Sequence, residues 1–243
     1  TSPSDVGGAA ITGYRVQSND GIGASGSASP ITVSGLSNGT SYTFNVWAIN
    51  PFGWSSPSDA SGSVSPLAAI ALIALGQSAS VSFNDQVDTV NIATTGNSTG
   101  FGDLTVARIS MNASGSSSTR GIFAGGSSAS GRRDTIDYFT ISTAGNATDF
   151  GNLATANQNC TSSSSSTRSV TAGGSEASGN TDRIQYVTIA STGNTTDFGN
   201  LLETKSEFNS TASPIRALFF AQGSGGSDDI EYVTIASTGN ATD

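Results

Sequence analysis

The residues best suited to chemistry in this sequence are those that recur at a fixed interval. Arginine recurs every 48 residues, and an aspartate follows each arginine 12–14 residues later. A ring of guanidinium groups could hold an anionic ligand, whereas Arg and Asp on neighbouring strands could form a structural ion pair. We expect the ion pair, because a catalytic site is seldom copied repeat by repeat. The residues concerned are Arg120, Arg168 and Arg216, with Asp134, Asp182 and Asp228.

A second recurring phrase carries asparagine. "GNATDFGNL" at 145–153 has close copies in "GNSTGFGDL" at 96–104 and "GNTTDFGNL" at 193–201. Asn97, Asn146 and Asn194 each begin an Asn-x-Thr sequon, so they are candidates for glycosylation. The alternative is turn chemistry, in which Gly supplies a positive φ and the Asn or Thr side chain bonds to local backbone. We expect a turn, and we expect the phenylalanines of the phrase, Phe101, Phe150 and Phe198, to be its packing residues.

Few residues suit catalysis. The chain has no His, which removes the commonest general base and metal ligand, and its single cysteine, Cys160, lies in the polar run "NQNCTSSSSS". The oxygen-rich stretches "SNDG" at 18–21 and "GGSDD" at 225–229 do not match a calcium-binding loop. We therefore predict no catalytic residue, no metal and no cofactor. Trp54, in the loop "NPFGWSS", is the candidate ligand contact.

Charge and hydropathy restrict the partners. Nine basic residues against 18 acidic ones give a net charge of −9, and the basic residues are scattered. Nucleic-acid binding, which depends on clustered cations, is not expected, nor is attraction to anionic lipid. The most apolar stretch, "PLAAIALIALG" at 66–76, is shorter than the roughly 20 residues that cross a bilayer, and it predicts a buried strand instead.

Residues 1–66 alternate apolar and polar side chains in a way typical of β-strands. "ITGYRV" at 11–16 predicts one strand, and residues 29–50 predict a short strand, a turn and a long strand. The spacing that ends in Tyr42 is similar to a tyrosine corner, where a Tyr bonds back to upstream backbone. This stretch resembles a fibronectin type III domain. The two strands that precede "ITGYRV" in that family are missing, so we expect an incomplete domain whose first strands lie before residue 1.

Residues 67–243 form a repeat array with marks at Asp85, Asp134, Asp182 and Asp228, which are 49, 48 and 46 residues apart. Each repeat predicts an apolar strand, an Ile-x-Tyr-x-x-Ile strand, the Gly-Asn phrase and a Ser-rich hairpin. In "DTIDYFTI", Ile136 and Tyr138 share one face, and Phe139 and Ile141 share the other. Apolar residues on both faces predict a strand between two neighbouring sheets.

The period and the four strands per repeat are typical of a β-propeller blade. The order Gly-Gly, Asp-x-x-x-Tyr and an aromatic residue twelve positions later resembles a kelch blade, with Phe150 and Phe198 where kelch proteins usually have Trp. The phrases also resemble repeats of tailed-phage structural proteins. The expected fold is therefore all-β: a partial fibronectin type III sandwich followed by about three and a half kelch-like four-stranded blades, with more of the polypeptide following.

These resemblances imply a non-enzymatic virion protein of a tailed phage, as a tail-fibre, baseplate or head-surface component. Its expected partners are other virion proteins, copies of itself and a host-surface glycan, and its expected location is the virion surface or the extracellular space. A bacterial cell-surface or secreted adhesin, including a filament subunit, is the alternative. A glycan depolymerase with accessory modules would require a carboxylate pair in a cleft.

Overall fold

The computed structural model describes residues 6–37, 40–66, 69–74, 76, 83–220 and 229–243, and this part of the chain contains strands and no helix. It divides into two compact units, Thr1–Ala68 and Ala69–Asp243. The division lies close to the boundary that the sequence predicts after residue 66.

Unit 1 is built on one antiparallel sheet in the order β2-β1-β3-β4. The strand predicted within residues 29–36 is absent, and residues 30–37 are irregular. That prediction was wrong, since no residue of this segment pairs with a strand of the sheet. The strands are β1 (Gly13–Ser18), β2 (Gly23–Gly26), β3 (Phe44–Asn50) and β4 (Gly53–Trp54).

The core of unit 1 centres on Tyr42. Its side chain is buried, and its hydroxyl accepts a hydrogen bond from the Ser37 backbone N–H at 2.9 Å. The Tyr42 ring also contacts Phe44, with 6.5 Å between the ring centroids. The back-bonded tyrosine that the sequence spacing predicts is therefore present.

A serine-rich segment covers the free edge of β3. The hydroxyls of Ser55, Ser58 and Ser61, three residues apart, accept hydrogen bonds from backbone N–H groups of β3 at 2.9–3.1 Å. The backbone N–H groups of the same serines donate in return to carbonyls of β3. This segment pairs with the backbone N–H and carbonyl groups at the edge of β3 as a regular strand would, although it is not itself a strand.

The described residues of unit 2 form four antiparallel sheets of one design, one for each repeat. Sheet I consists of β5 (Ile70–Ala74), β6 (Asn84–Asn91) and β7 (Thr99–Arg108). Sheet II consists of β8 (Ala113–Ser116), β9 (Arg120–Ala124), β10 (Ser127–Ser128), β11 (Gly131–Thr140) and β12 (Thr148–Asn157). Sheet III consists of β13 (Thr161–Ser164), β14 (Arg168–Ala172), β15 (Ser175–Glu176), β16 (Gly179–Thr188) and β17 (Thr196–Lys205). Sheet IV consists of β18 (Asn209–Ala212), β19 (Arg216–Phe220) and β20 (Ile230–Thr234).

The complete sheets II and III share the same strand order. The order is β8-β9-β11-β12 in sheet II and β13-β14-β16-β17 in sheet III, and a two-residue strand pairs with the start of the third long strand in each. These short strands were not predicted from the sequence. Between the third and fourth long strands the register shifts at the same place in sheets I, II and III, opposite the Phe-Gly of the repeated phrase.

Neighbouring sheets are packed face to face, and three apolar layers lie between the four sheets. Ile136 of β11 belongs to the layer shared with sheet III, and Phe139 of the same strand belongs to the layer shared with sheet I. In β16, Ile184 likewise belongs to the layer shared with sheet IV, and Val187 belongs to the layer shared with sheet II. The sequence prediction of a strand with two buried faces is therefore confirmed.

Side-chain size changes across the layer between sheets II and III. Where the first strands of sheets II and III meet, the residues are small, and the Ser164 hydroxyl both accepts from the Ser116 N–H at 3.0 Å and donates to the Ser116 carbonyl at 3.2 Å. Towards the fourth strands, Phe and Leu such as Phe150 and Leu153 fill the layer. Small residues let the sheets approach closely at the first strands, whereas large ones hold them apart at the fourth.

Candidate functional sites

The repeated arginines lie between successive sheets. The Arg120 Cζ lies 4.4 Å from the ring centroid of Tyr138 in its own sheet, and its Nη1 donates to the Ile189 carbonyl of the next sheet at 3.0 Å. Arg168 stacks on Tyr186 at the same distance and donates to the carbonyls of sheet IV. A guanidinium over an aromatic face gains a cation–π attraction, and the carbonyl bond joins the two repeats.

The ion pairs expected for Arg120 and Arg168 with Asp134 and Asp182 are absent from the described residues. The ion pairs among the described residues join Arg108 to Asp137, Arg183 to Glu176 and Lys205 to Glu231. The expected partner Asp228 lies outside the described residues. The prediction was wrong for Arg120 and Arg168 because an aromatic ring and a carbonyl of the next sheet lie within reach of each guanidinium.

The phenylalanines of the repeated phrase are buried in the layers. Phe150 packs edge-on against Tyr138 and Phe198 against Tyr186, both with 5.9 Å between ring centroids. Phe101 packs against Phe139 of the following sheet at 5.8 Å. All three are therefore packing residues, as the sequence predicts.

The sequon asparagines contact the preceding repeat. The Asn146 Oδ1 accepts from the Asp103 backbone N–H at 3.1 Å, and the Asn194 Oδ1 accepts from the Asn152 N–H at 3.0 Å. Asn240 makes the equivalent bond to Asn200. The sequence predicts hydrogen bonds from these side chains to local backbone. The structure instead has hydrogen bonds to backbone N–H groups 40–43 residues earlier in the chain.

Glycine makes this contact possible. The Gly145 and Gly193 N–H groups donate to the Phe101 and Phe150 carbonyls at 2.8 and 2.7 Å. A Cβ on Gly102 or Gly151 would collide with the backbone of the Gly-Asn segment in the next sheet. The Phe-Gly segment of one sheet and the Gly-Asn segment of the next sheet therefore form one contact. Sheets II and III each make this contact twice, once with the preceding sheet and once with the following sheet. Asn97 of sheet I occupies the equivalent position and is exposed.

Each layer also contains a buried polar position that the sequence analysis missed. The Arg108 Nη2 bonds to the Asp137 Oδ2 at 2.6 Å, and both side chains are fully buried. Burial lowers the pKa of Arg108, and the Asp137 charge opposes that shift. Lys205 pairs with Glu231 at the corresponding place between sheets III and IV.

The middle layer has uncharged residues at these positions, Asn157 and Gln185. The third-strand side chain at this position also makes the same backbone contact in every layer. It accepts a hydrogen bond from a backbone N–H of the fourth strand of the preceding sheet. The distances are 3.2 Å for Asp137, 2.9 Å for Gln185 and 2.7 Å for Glu231. The chain therefore alternates charged, neutral and charged contacts at one position of the repeat.

Unit 1 carries the candidate ligand contact. Trp54 is 56% exposed, and the Arg15 guanidinium lies over its ring at 5.5 Å. With Phe52, which is 79% exposed, it lines an open cleft of about 380 Å³. The Asn50 side chain fixes the turn between β3 and β4, because its Oδ1 accepts hydrogen bonds from the Phe52 and Gly53 N–H groups. The aromatic surface is exposed on a restrained turn, which suits stacking against a flat apolar face.

Other candidate groups take structural positions. Cys160 is fully buried, and burial raises the pKa of its thiol to about 12, so it has little thiolate at neutral pH. The described residues contain no group of three or more His, Cys, Asp or Glu side chains placed to hold a metal ion. In the same part of the chain, no helix has the length and apolarity needed to span a membrane.

Comparison with known proteins gives no family. No family model matches the sequence, and no curated protein matches it.

Proposed function

We propose that this chain is a non-enzymatic structural and adhesion protein of a tailed-phage virion, where it contributes to assembly and to binding of the host surface. The observation that carries the proposal is the use of the recurring residues. In the internal repeats, the Arg, Phe and Asn side chains that could mark a repeated site contact a neighbouring repeat. This arrangement suits a rigid scaffold.

We also propose that unit 2 is a segment of kelch-like β-propeller blades and that unit 1 is a partial fibronectin type III domain. Four-strand sheets in meander order, with small residues between the first strands and Phe between the fourth, support a stack that curves around its first strands. The buried, back-bonded Tyr42 and the sheet order β2-β1-β3-β4 support the second assignment.

The proposed adhesion site is the aromatic cleft of unit 1. Trp54 and Phe52 offer two exposed ring faces of the kind that pack against the apolar face of a sugar. The Ser-rich edge segment that follows Trp54 brings hydroxyl groups near the same end of the sheet.

The test is binding of the purified chain to bacterial surface polysaccharides on a glycan array, combined with an assay for glycan cleavage. We expect binding of at least one polysaccharide without cleavage, and loss of most of that binding in Trp54→Ala. Leu202→Ala, which truncates an exposed side chain of unit 2, is the matched control and should bind as the unmodified chain does. Cleavage of the bound glycan, or no binding at all, would contradict the proposal.

A further inference from the structure

Arg15 places a positive charge beside the aromatic cleft of unit 1. It is the one basic residue among positions 1–68, and its Cζ lies 5.5 Å from the ring centroid of Trp54. Arg15 belongs to β1 and Trp54 to β4, so the contact reaches across β3 on one face of the sheet. The cation and the exposed aromatic surface are therefore parts of one site.

The Arg15 guanidinium is available to a ligand. It forms no ion pair and no hydrogen bond with the residues that the structure describes, and its contact is the face of the Trp54 ring. An arginine stacked on an aromatic ring keeps the N–H groups at its edge free, and these groups form a planar fork that matches a carboxylate. Because Arg15 is half-buried, an anion that reaches it is screened less by salt than an anion at an open surface.

The other polar side chains that line the cleft are engaged with backbone. The Asn50 amide makes hydrogen bonds to three backbone groups, and the Ser55 hydroxyl makes hydrogen bonds to two. Among the described residues, the free side-chain groups beside the cleft are therefore the Arg15 N–H groups and the Trp54 indole N–H. All of these groups donate hydrogen bonds, so the site suits a ligand that offers an apolar face together with a strong acceptor.

We propose that the aromatic cleft binds a glycan that carries carboxylates and that Arg15 determines this specificity. The inference rests on the proposed function, because it names the class of glycan that the same site takes. In the complex, the apolar face of a sugar ring packs against Phe52 and Trp54. The carboxylate of that sugar, or of the next one along the glycan, accepts hydrogen bonds from the Arg15 guanidinium.

The charge of the whole molecule makes a preference for an acidic glycan informative. The net charge of −9 repels polyanions in general. Positions 1–68 have three acidic residues, Asp5, Asp20 and Asp59, against the single basic residue Arg15. Tighter binding of an acidic glycan than of its neutral form at this cleft therefore requires a cation at the site, and Arg15 is the cation that unit 1 supplies.

The test compares oligosaccharides that differ only at the carboxylate. Oligomers of galacturonic, glucuronic, mannuronic and guluronic acid are each measured beside their carboxyl-reduced forms, which are neutral sugars of the same configuration. Isothermal titration calorimetry gives the affinities of the full chain and of Arg15→Gln, Arg15→Lys and Trp54→Ala. Arg132→Gln removes the same charge from an exposed arginine of β11 and is the matched control.

We expect at least one acid oligomer to bind, and its reduced form to bind at least about tenfold more weakly, because the reduced form loses a charge-assisted hydrogen bond. Arg15→Gln should weaken binding of the acid form by a similar factor and leave the reduced form unchanged. Arg15→Lys should keep part of the preference, since it retains the charge without the planar fork. Trp54→Ala should weaken both forms, and Arg132→Gln should bind as the unmodified chain does.

Equal binding of the acid and reduced forms, or undiminished binding of the acid form by Arg15→Gln, would overturn this inference and leave glycan adhesion in place. Failure of every acid oligomer to bind, when a neutral polysaccharide binds on the glycan array, would have the same meaning. Absence of all glycan binding would contradict both the inference and the proposed function. The comparison of acid and reduced forms uses the unmodified chain, so it tests the inference even where a variant fails to fold.

Discussion

Phe150 illustrates how one residue of the repeat holds two sheets together. Its ring is buried, packs edge-on against Tyr138 of its own sheet and shares an apolar layer with Val187 and Ile189 of the next sheet. Its carbonyl accepts the Gly193 N–H of that next sheet. The side chain and the backbone of a single residue thus contribute separately to the same interface.

Truncating this ring should be costly. We expect Phe150→Ala to lower the free energy of unfolding by about 3–5 kcal/mol, because it removes a buried aromatic side chain and leaves a cavity. Phe52→Ala, at an exposed ring of unit 1, should change it by no more than about 0.5 kcal/mol. Urea denaturation followed by circular dichroism measures both, and equal effects would show that Phe150 is not a core residue.

The sequon asparagine should contribute less and in a way that depends on its position. Asn146→Ala removes the acceptor for the Asp103 N–H, and we expect a loss of about 0.5–1.5 kcal/mol. Asn97→Ala alters the same motif in sheet I, which has no preceding sheet among the described residues of unit 2, so it should be nearly neutral. Equal losses in the two variants would favour a local turn role over the contact between repeats.

At the scale of the element, the buried polar positions distinguish one layer from the next. Arg108 meets Asp137 in the first layer, Asn157 and Gln185 occupy the second, and Lys205 meets Glu231 in the third. Stacking the sheets in another order would leave a buried charge without a partner, which is costly. These positions therefore favour the observed order of sheets that are otherwise alike.

A double-mutant cycle tests this role. We expect Arg108→Asn or Asp137→Gln alone to cost about 3–5 kcal/mol, because each leaves the other charge buried and unpaired. The double variant carries the residue types of the neutral layer, and we expect it to recover most of that loss. Free energies from urea denaturation of the four proteins give the coupling, and additive losses would contradict a paired contact.

Sequence predicted the elements better than it predicted their contacts. The apolar residues on both faces of "DTIDYFTI" are sufficient to predict a strand between two sheets. Successive side chains of a strand point to opposite faces, so apolar residues on both faces need a packing partner on each side. The partners of Asn146 and Arg120 could not be predicted, because they belong to other repeats and depend on how the sheets stack. The position shared by Arg108, Asn157 and Lys205 was missed for a related reason: the three residue types differ, so no motif marks it.

At the scale of the whole molecule, the two units differ in how much apolar surface they bury. Tyr42 is the one large apolar side chain that is buried among the described residues of unit 1, whereas unit 2 has three apolar layers. A single sheet with one covered edge has little hydrophobic stabilisation, and its strands should open more readily.

Limited proteolysis should therefore remove unit 1 first. We expect thermolysin, which cleaves before apolar residues, to produce a resistant fragment that starts near Ala69, since the two units divide there. Mass spectrometry of the time course identifies the fragment. Cleavage of unit 2 at the same rate as unit 1 would contradict the difference in packing.

Successive repeats stack face to face with equivalent strands in contact, and an engineered disulfide tests this stacking most directly. The Thr161 Oγ1 of β13 lies 2.7 Å from the Ser210 Oγ of β18, 49 residues further along the chain. In a Cys160→Ala background, the pair Thr161→Cys and Ser210→Cys should form a disulfide rapidly under mild oxidation, because sulfur atoms at these positions approach bonding distance. The pair Thr161→Cys and Ser213→Cys is the control and should stay reduced. Mass spectrometry of the alkylated proteins will support the stacked repeats if only the first pair is protected from alkylation, and will contradict them if that pair remains free.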